Sequence, residues 1–400
     1  MTMTAILAFV CVLFSMAIGD VVSAKTKAFI PSVFATAIIF LVGFWFVFPK
    51  DMITIATLGQ PVAGLVMYLL IVHMGTLMNI KELIAQWKTV LISLAGIVGI
   101  LAILMTVGVM VLGRDTAIVG APPLTGGIVA AILMKEAAES VGNTNLAVVA
   151  ILVYVVQGFV GYPLTAVLLK KEGNRLLEGY RKGEREQISS VSEDQAIKKT
   201  LIPQLPEKYD TTYMVLLKLS FVAWLADIFT KLINTNVFNN PKALSPLVTC
   251  LVFGVIAAEI GLVDRKPLNK ANAFGWTMTC LMAFIFEGLS KATPQMLASV
   301  AAPLIGIIVI GVAGLIIFAF IAGKLLKESK YMSLPIALNA LYGFPPNFIL
   351  TTEAIKSLTD DEAEVKYLTD IMMPRMLIGG FTSVTIASVI IGGIFAGMLG

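Results

Sequence analysis

Two stretches of this chain sit in series with apolar runs of membrane length, and neither can be an ordinary span. Pro122–Glu139, PPLTGGIVAAILMKEAAE, and Pro335–Glu353, PIALNALYGFPPNFILTTE, are each interrupted by glycine and proline, and each ends in charge. An unpaired backbone group in hydrocarbon costs several kcal/mol, so irregular backbone at membrane depth survives only inside protein or beside a water-filled cavity. Broken segments at corresponding positions of two halves point to a transport site.

The flanking sequence supplies the membrane context. Apolar runs close to the ~20 residues that cross a bilayer fall at Met3–Val22, Ala28–Phe48, Gly59–Met78, Thr89–Leu112 and Leu146–Leu169. A second set follows at Tyr213–Leu232, Leu244–Val263, Asn272–Ser290, Ser299–Gly323 and Tyr367–Ala396. Hydrophobic residues make up 58% of the chain and charged ones 14%, far from a soluble composition. Met3–Val22 lacks the basic n-region of a signal peptide, and Lys25 and Lys27 follow it, so it reads as a span.

Charge then orients the spans. If both broken segments enter and return, near 117–139 and 332–355, each half has five crossings and the halves are inverted. With the polar 170–210 linker in the cytoplasm, both termini lie outside and most of the 29 basic residues face the cytoplasm. The expected domains are a first repeat over 1–169, the linker, and a second repeat over 211–400. Landmarks recur 215 residues apart: Pro31 with Pro246, Met67 with Met282, Gly96 with Gly311 and Gly99 with Gly314. The fold class expected is an all-α membrane protein of two inverted five-span repeats, each with a re-entrant hairpin.

Other chemistries find little support. The three cysteines have no paired spacing, one histidine argues against His-based metal sites, and no P-loop or nucleophile–base constellation appears. The chain therefore reads as neither an enzyme nor a nucleic-acid binder, and no cofactor is expected beyond a coupling ion. The site candidates are the hairpin tips. Thr125, Gly126 and Gly127 form the first, where glycine admits close backbone approach. Asn339, Tyr342, Gly343, Pro345 and Asn347 form the second, with Thr351 a helical turn beyond. Unwound carbonyls and amide oxygens there suit Na⁺, placed near Gly126, Gly343 and Asn347. Arg375 has two readings, a clamp for a solute carboxylate or a side chain reaching the headgroups. Glu287, near the end of an apolar run, has two readings, an intramembrane functional carboxylate or one close enough to the outer boundary to reach water; His73 reads as an interior polar residue.

Several motifs resemble the bacterial sodium/glutamate symporters and their relatives in the wider ion-transporter superfamily. IVHMGTLMNI (71–80) is similar to that family's third span, LTGGIVAA (124–131) sits at its first glycine-rich loop, and QGFVGYP (157–163) resembles its G-G-x-x-G-G-P. NALYGFPP (339–346) sits at the second hairpin, and Met373-Pro374 resembles the Val-Pro that opens the last span. Ile128 and Val129 stand in place of a His-Gly, and Arg375 and Thr382 in place of an apolar and an acidic residue. The resemblance implies a homodimeric, elevator-type secondary transporter of the inner membrane that moves an acidic amino acid such as glutamate with Na⁺. Alternatives are a proton-coupled carrier or exporter of another carboxylate or amino acid, and a sodium-translocating subunit of a decarboxylase complex.

Overall fold

The long apolar runs fold as helices because backbone groups in an apolar setting must pair within their own segment. A computed structural model describes residues 3–77, 84, 86–126, 128–184, 201–203, 206–237, 246–383 and 388–399, and among these the regular structure is helical. In chain order the main helices are α1 (Ala5–Lys25), α2 (Ser32–Phe46), α3 (Gln60–Thr76), α4 (Trp87–Leu112), α5 (Arg114–Leu124) and α6 (Ile128–Ser140). There follow α7 (Thr144–Arg181), α8 (Thr212–Asn236), α9 (Pro246–Ile260), α10 (Phe274–Glu287) and α11 (Ala301–Leu325). The last are α12 (Lys330–Leu338), α13 (Pro346–Lys356), α14 (Glu362–Thr382) and α15 (Ser388–Ala396).

Five of these, α1, α4, α7, α8 and α11, are long and apolar enough to cross a membrane. The chain is accordingly an all-α, multi-pass membrane protein. Large apolar side chains such as Phe46, Met110 and Leu325 are exposed, while Phe40, Ile100 and Leu104 are fully buried. An exposed apolar surface of that extent is what a lipid-facing wall presents. Caps sit where the sequence offers them: Asn143, Thr211, Thr293, Ser329 and Asp361 each accept a backbone N–H at a helix start.

One helix boundary differs from the sequence reading. The polar stretch beginning at Lys170 does not end the helix of the fifth apolar run, since α7 continues as one helix of 38 residues to Arg181. Lys, Glu, Leu and Arg are strong helix formers, and Glu172–Arg175 and Arg181–Glu364 ion pairs hold that extension. In the last apolar run α14 covers Glu362–Thr382 and α15 covers Ser388–Ala396, and residues 384–387 lie outside the described residues.

The chain packs as two compact units, neither of which is one sequence half. One comprises Met1–Phe9, Ile53–Trp87 and Gln187–Ile285; the other comprises Val10–Met52, Lys88–Glu186 and Phe286–Gly400. In the first, α3, α8 and α9 pack together. Gly75 of α3 and Gly254 of α9 let their backbones touch, since a Cβ on either would strike a carbonyl oxygen of the other helix. In the second unit α7 is the central column, packed by α5, α6, α12, α13 and α14.

The second unit has its own backbone crossing. A Cβ on Gly99 of α4 would fall on the carbonyl oxygen of Gly314 of α11, and one on Gly314 would fall on that of Gly99. On either side of this crossing the contacts are reciprocal in kind. Gly96 of α4 receives Ala337 of α12, and Gly311 of α11 receives Leu124 of α5. Each crossing helix thus carries the first arm of one broken segment.

Candidate functional site

Both broken segments are helix–break–helix. In the first, α5 carries Pro122 and Pro123 in its last turn and stops at Leu124. Thr125 and Gly126 turn the chain, Gly126 at φ +103°, a conformation that favours glycine. Gly127 and the side chains of Ile128 and Val129 lie outside the described residues. Thr125 is fully buried, and its hydroxyl donates to the Pro122 carbonyl at 2.7 Å. The Thr125 hydroxyl is thus satisfied by its own helix.

The second break is longer and chemically different. After α12 comes a 3₁₀ turn at Asn339–Leu341, then Tyr342, Gly343 at φ +65°, and a cis peptide between Phe344 and Pro345. Asn339 and Asn347 are both 0% exposed. The Asn339 amide nitrogen donates to the carbonyls of Pro335 and Ile336 at 3.1 and 3.2 Å, and that of Asn347 to the Met376 carbonyl at 2.9 Å. With both nitrogens fixed on carbonyls, both Oδ1 atoms are left without a hydrogen-bond partner. A buried acceptor in that state costs about 1–3 kcal/mol.

Two glycines admit these amides. A Cβ on Gly380 of α14 would strike the Asn347 amide nitrogen and lie 3.2 Å from Asn339 Oδ1, and one on Gly379 would lie 3.1 Å from the Asn339 amide nitrogen. A third amide oxygen is unpartnered on α7, the Oε1 of Gln157, itself 2% exposed. One turn further along the same face, Gly161 receives the side chains of Tyr342 and Leu341. Tyr342 is then pinned by a 2.7 Å hydrogen bond between its hydroxyl and that of Thr165.

Neutral amide oxygens are hard ligands, and the C-terminal end of α12 adds the negative end of its dipole. The residues present therefore fit a small hard cation such as Na⁺ better than an anion. Around the second tip the amides of Phe348 and Ile349 are already spent on Pro345 O. The Thr351 hydroxyl likewise donates to the Asn347 carbonyl at 2.7 Å, within its own helix.

The two charged candidates lie apart from this cluster in role. Arg375 sits one turn before Gly379 on α14 and pairs with Glu328 at 3.2 Å, with side chains 22% and 14% exposed. It is held inside the protein by a carboxylate of the chain itself, which neither sequence reading of Arg375 anticipates. Glu287 is half-buried at the end of α10, next to a 3₁₀ turn that packs on α2. In the other unit His73 accepts the Leu268 amide on Nδ1 at 3.2 Å, so it serves there as a packing acceptor.

Sequence reasoning missed Gln157, Thr165, Gly379 and Gly380. Gln157 carried a usable signal, a lone amide in an apolar helix where polar side chains are expensive. The glycines carried none, because their role depends on α12 and α13. Comparison of the chain with protein-family models and with curated proteins returns no match.

Proposed function

We propose that the chain is a secondary active transporter that moves a small anionic organic solute, an acidic amino acid such as glutamate first, with Na⁺. The observation that carries this reading is the pair of unpartnered carboxamide oxygens of Asn339 and Asn347, buried at the break of the second interrupted helix. Buried polar groups are expected to find partners. A cation supplies one here without adding a proton donor, and broken helices are where carriers hold their coupling ions.

The architecture we propose is two inverted five-span repeats, each with a re-entrant hairpin, working as an elevator-type homodimer in the inner membrane. Three features support it. Helices α2 and α9 are each 15 residues and begin at Ser32 and Pro246. Gly99 and Gly314 occlude each other reciprocally, and Gly96 and Gly311 each receive a hairpin arm. The charge pattern supports termini outside and a cytoplasmic 170–210 linker.

The test is uptake of acidic amino acids and di- and tricarboxylates into proteoliposomes under an imposed Na⁺ gradient. Uptake that requires inward Na⁺ is expected. Absence of gradient-driven uptake of every such solute overturns the reading, and flux driven by a proton gradient without Na⁺ moves the coupling to H⁺.

A further inference from the structure

Lysines from three parts of the chain gather at one end of the second unit. Helix α1 ends on Lys25 and turns through Lys27, α7 carries Lys170 and Lys171, and α11 passes into α12 through Lys327 and Lys330. Lys170 donates to the Lys27 carbonyl at 2.6 Å, which joins α7 to the corner after α1. Toward the α11–α12 corner, Glu172 of α7 accepts the Ser329 hydroxyl at 2.6 Å. The Lys171 ammonium there lies 5.8 Å from the centre of the Tyr331 ring, and the Lys330 ammonium lies over the same ring at 5.0 Å.

The corners after α1 and α11 are built alike. The Ala28 amide donates to the Ser23 carbonyl and the Glu328 amide to the Gly323 carbonyl, both at 2.8 Å, with Lys27 at φ +51° and Lys327 at φ +57°. Glycine is the usual residue at that place past a helix end, and each corner carries a lysine instead. The acids nearest in sequence to Lys171 and Lys330 are taken by arginines, Glu172 by Arg175 at 2.7 Å and Glu328 by Arg375 at 3.2 Å. Among the described residues none of these lysines has a carboxylate within ion-pair distance. Toward the middle of the helices the surface turns apolar. Leu164, Val167 and Lys171 share one face of α7, and Leu164 and Val167 are exposed, as are Ile321 and Leu325 of α11.

We propose that this end of the second unit binds an anionic phospholipid, its headgroup phosphate between Lys171 and Lys330 beside Tyr331 and its acyl chains against the exposed apolar faces of α7 and α11. Two ammoniums over one ring repel each other, and a phosphate between them replaces that repulsion with two charge-assisted hydrogen bonds. Tyrosine suits the level of the headgroups, and lysines next to a membrane surface draw anionic lipid to it. The other lysines of the cluster add to the local field without touching the headgroup. Lys330 is the first residue of α12, so the lipid sits at the root of the second broken segment. This site goes beyond the transport reading and does not depend on it.

Native mass spectrometry of the purified, delipidated full-length protein tests it, by titration with phosphatidylglycerol and with phosphatidylcholine of the same acyl chains. The anionic lipid is expected to bind in preference. In the double variant Lys171→Gln/Lys330→Gln that preference should fall roughly five-fold for each lysine removed. Lys50→Gln/Lys291→Gln removes the same charge from exposed positions elsewhere in the same unit and should leave the preference intact. All four lysines are exposed, so neither variant disturbs the core. Equal binding of the two lipids by the wild type overturns the proposal, as does a preference that survives Lys171→Gln/Lys330→Gln. An equal fall in both double variants also overturns it, since net charge and not this site would then select the lipid. Inorganic phosphate should not compete, because it brings no chains to the apolar faces; displacement of the lipid by phosphate would mark a site for a free anion and sink the lipid assignment.

Discussion

The two broken segments share a plan and differ in what they leave open. At the first, Thr125 turns its hydroxyl onto its own helix and the described tip is closed. At the second, Asn339 and Asn347 give their nitrogens to carbonyls and keep two buried oxygens unpartnered. Their roots differ too. The first is flanked by Lys135–Glu139, a half-exposed pair within α6. The second is tied at both ends to the polar extension of α7, through Glu172 to the α12 cap Ser329 and through Arg181 to Glu364. One helix–break–helix plan thus yields a break whose buried hydroxyl is satisfied and a break that strands two amide oxygens.

The largest effect should come from Asn347→Leu, which keeps the branched outline at Cγ and removes the amide. If the Asn347 oxygen binds a cation, Na⁺ at a hundred times its dissociation constant stabilises the wild type by about 2.7 kcal/mol. Asn347→Leu should remove all of that increment together with Na⁺-driven uptake. Without Na⁺ its stability should change little, because it deletes an unpaired acceptor along with one amide hydrogen bond. Thermal unfolding with and without Na⁺ measures both. A sodium-dependent shift that persists in the variant would erase the distinction between the two tips.

The glycine crossing asks whether the arms are equally tight. Gly311→Leu pushes against Leu124 of α5, and Gly96→Leu against Ala337 of α12. Overpacking of this kind costs about 1–3 kcal/mol. Gly96→Leu should also weaken Na⁺ stabilisation, since α12 carries Asn339 at its end, whereas Gly311→Leu should leave it intact. Equal losses of sodium response in both variants would mean that the arms move as one body.

Much of this plan was legible from residue order, and its chemistry was not. The helices and both breaks follow from apolar run length and from Pro122, Pro123, Gly126, Gly343 and Pro345, which are local signals. That Asn339 and Asn347 would each spend their nitrogen and strand their oxygen depends on Met376, Gly379 and Gly380, a helix distant in sequence. Arg375 showed as a membrane-embedded charge, but its partner Glu328 is a tertiary fact. The continuation of α7 past Lys170 was obscured because charge was read as a linker, although those residues are also good helix formers.

Hydroxyl deletions give a smaller and more selective comparison. Tyr342→Phe removes the 2.7 Å bond to Thr165 and should cost about 1 kcal/mol. Thr125→Val removes a hydroxyl bonded to its own helix and should cost only a few tenths of a kcal/mol, as such local bonds add little. Thermal unfolding of the two variants side by side reads the difference. The reverse order would place the stiffer tip in the first segment.

The smallest effect concerns the root of the second segment and is read through pH. Two hydrogen bonds from the Arg181 guanidinium, at 2.7 and 2.8 Å, and a third from the Thr359 hydroxyl hold the Glu364 carboxyl down at about 2, against an ordinary 4.5. A carboxyl depressed in the folded state stabilises it fully above the unfolded value, and that contribution fades as pH falls from 4.5 through about 2. The Arg181 side of the pair is exposed, so its share of global stability is small and salt weakens it further. Its local consequence is larger, because Thr359 lies in the turn that joins α13 to α14 and Glu364 in the first turn of α14. Amide exchange over 357–366 should therefore accelerate as pH drops through that window, after correction for intrinsic exchange rates. Glu364→Gln should show the faster exchange at neutral pH, while the α6 amides near Lys135–Glu139 stay unchanged in both. Acceleration at both roots would mean that acid loosens the whole unit, and the α7 extension would then lose its standing as the specific tether of the second segment.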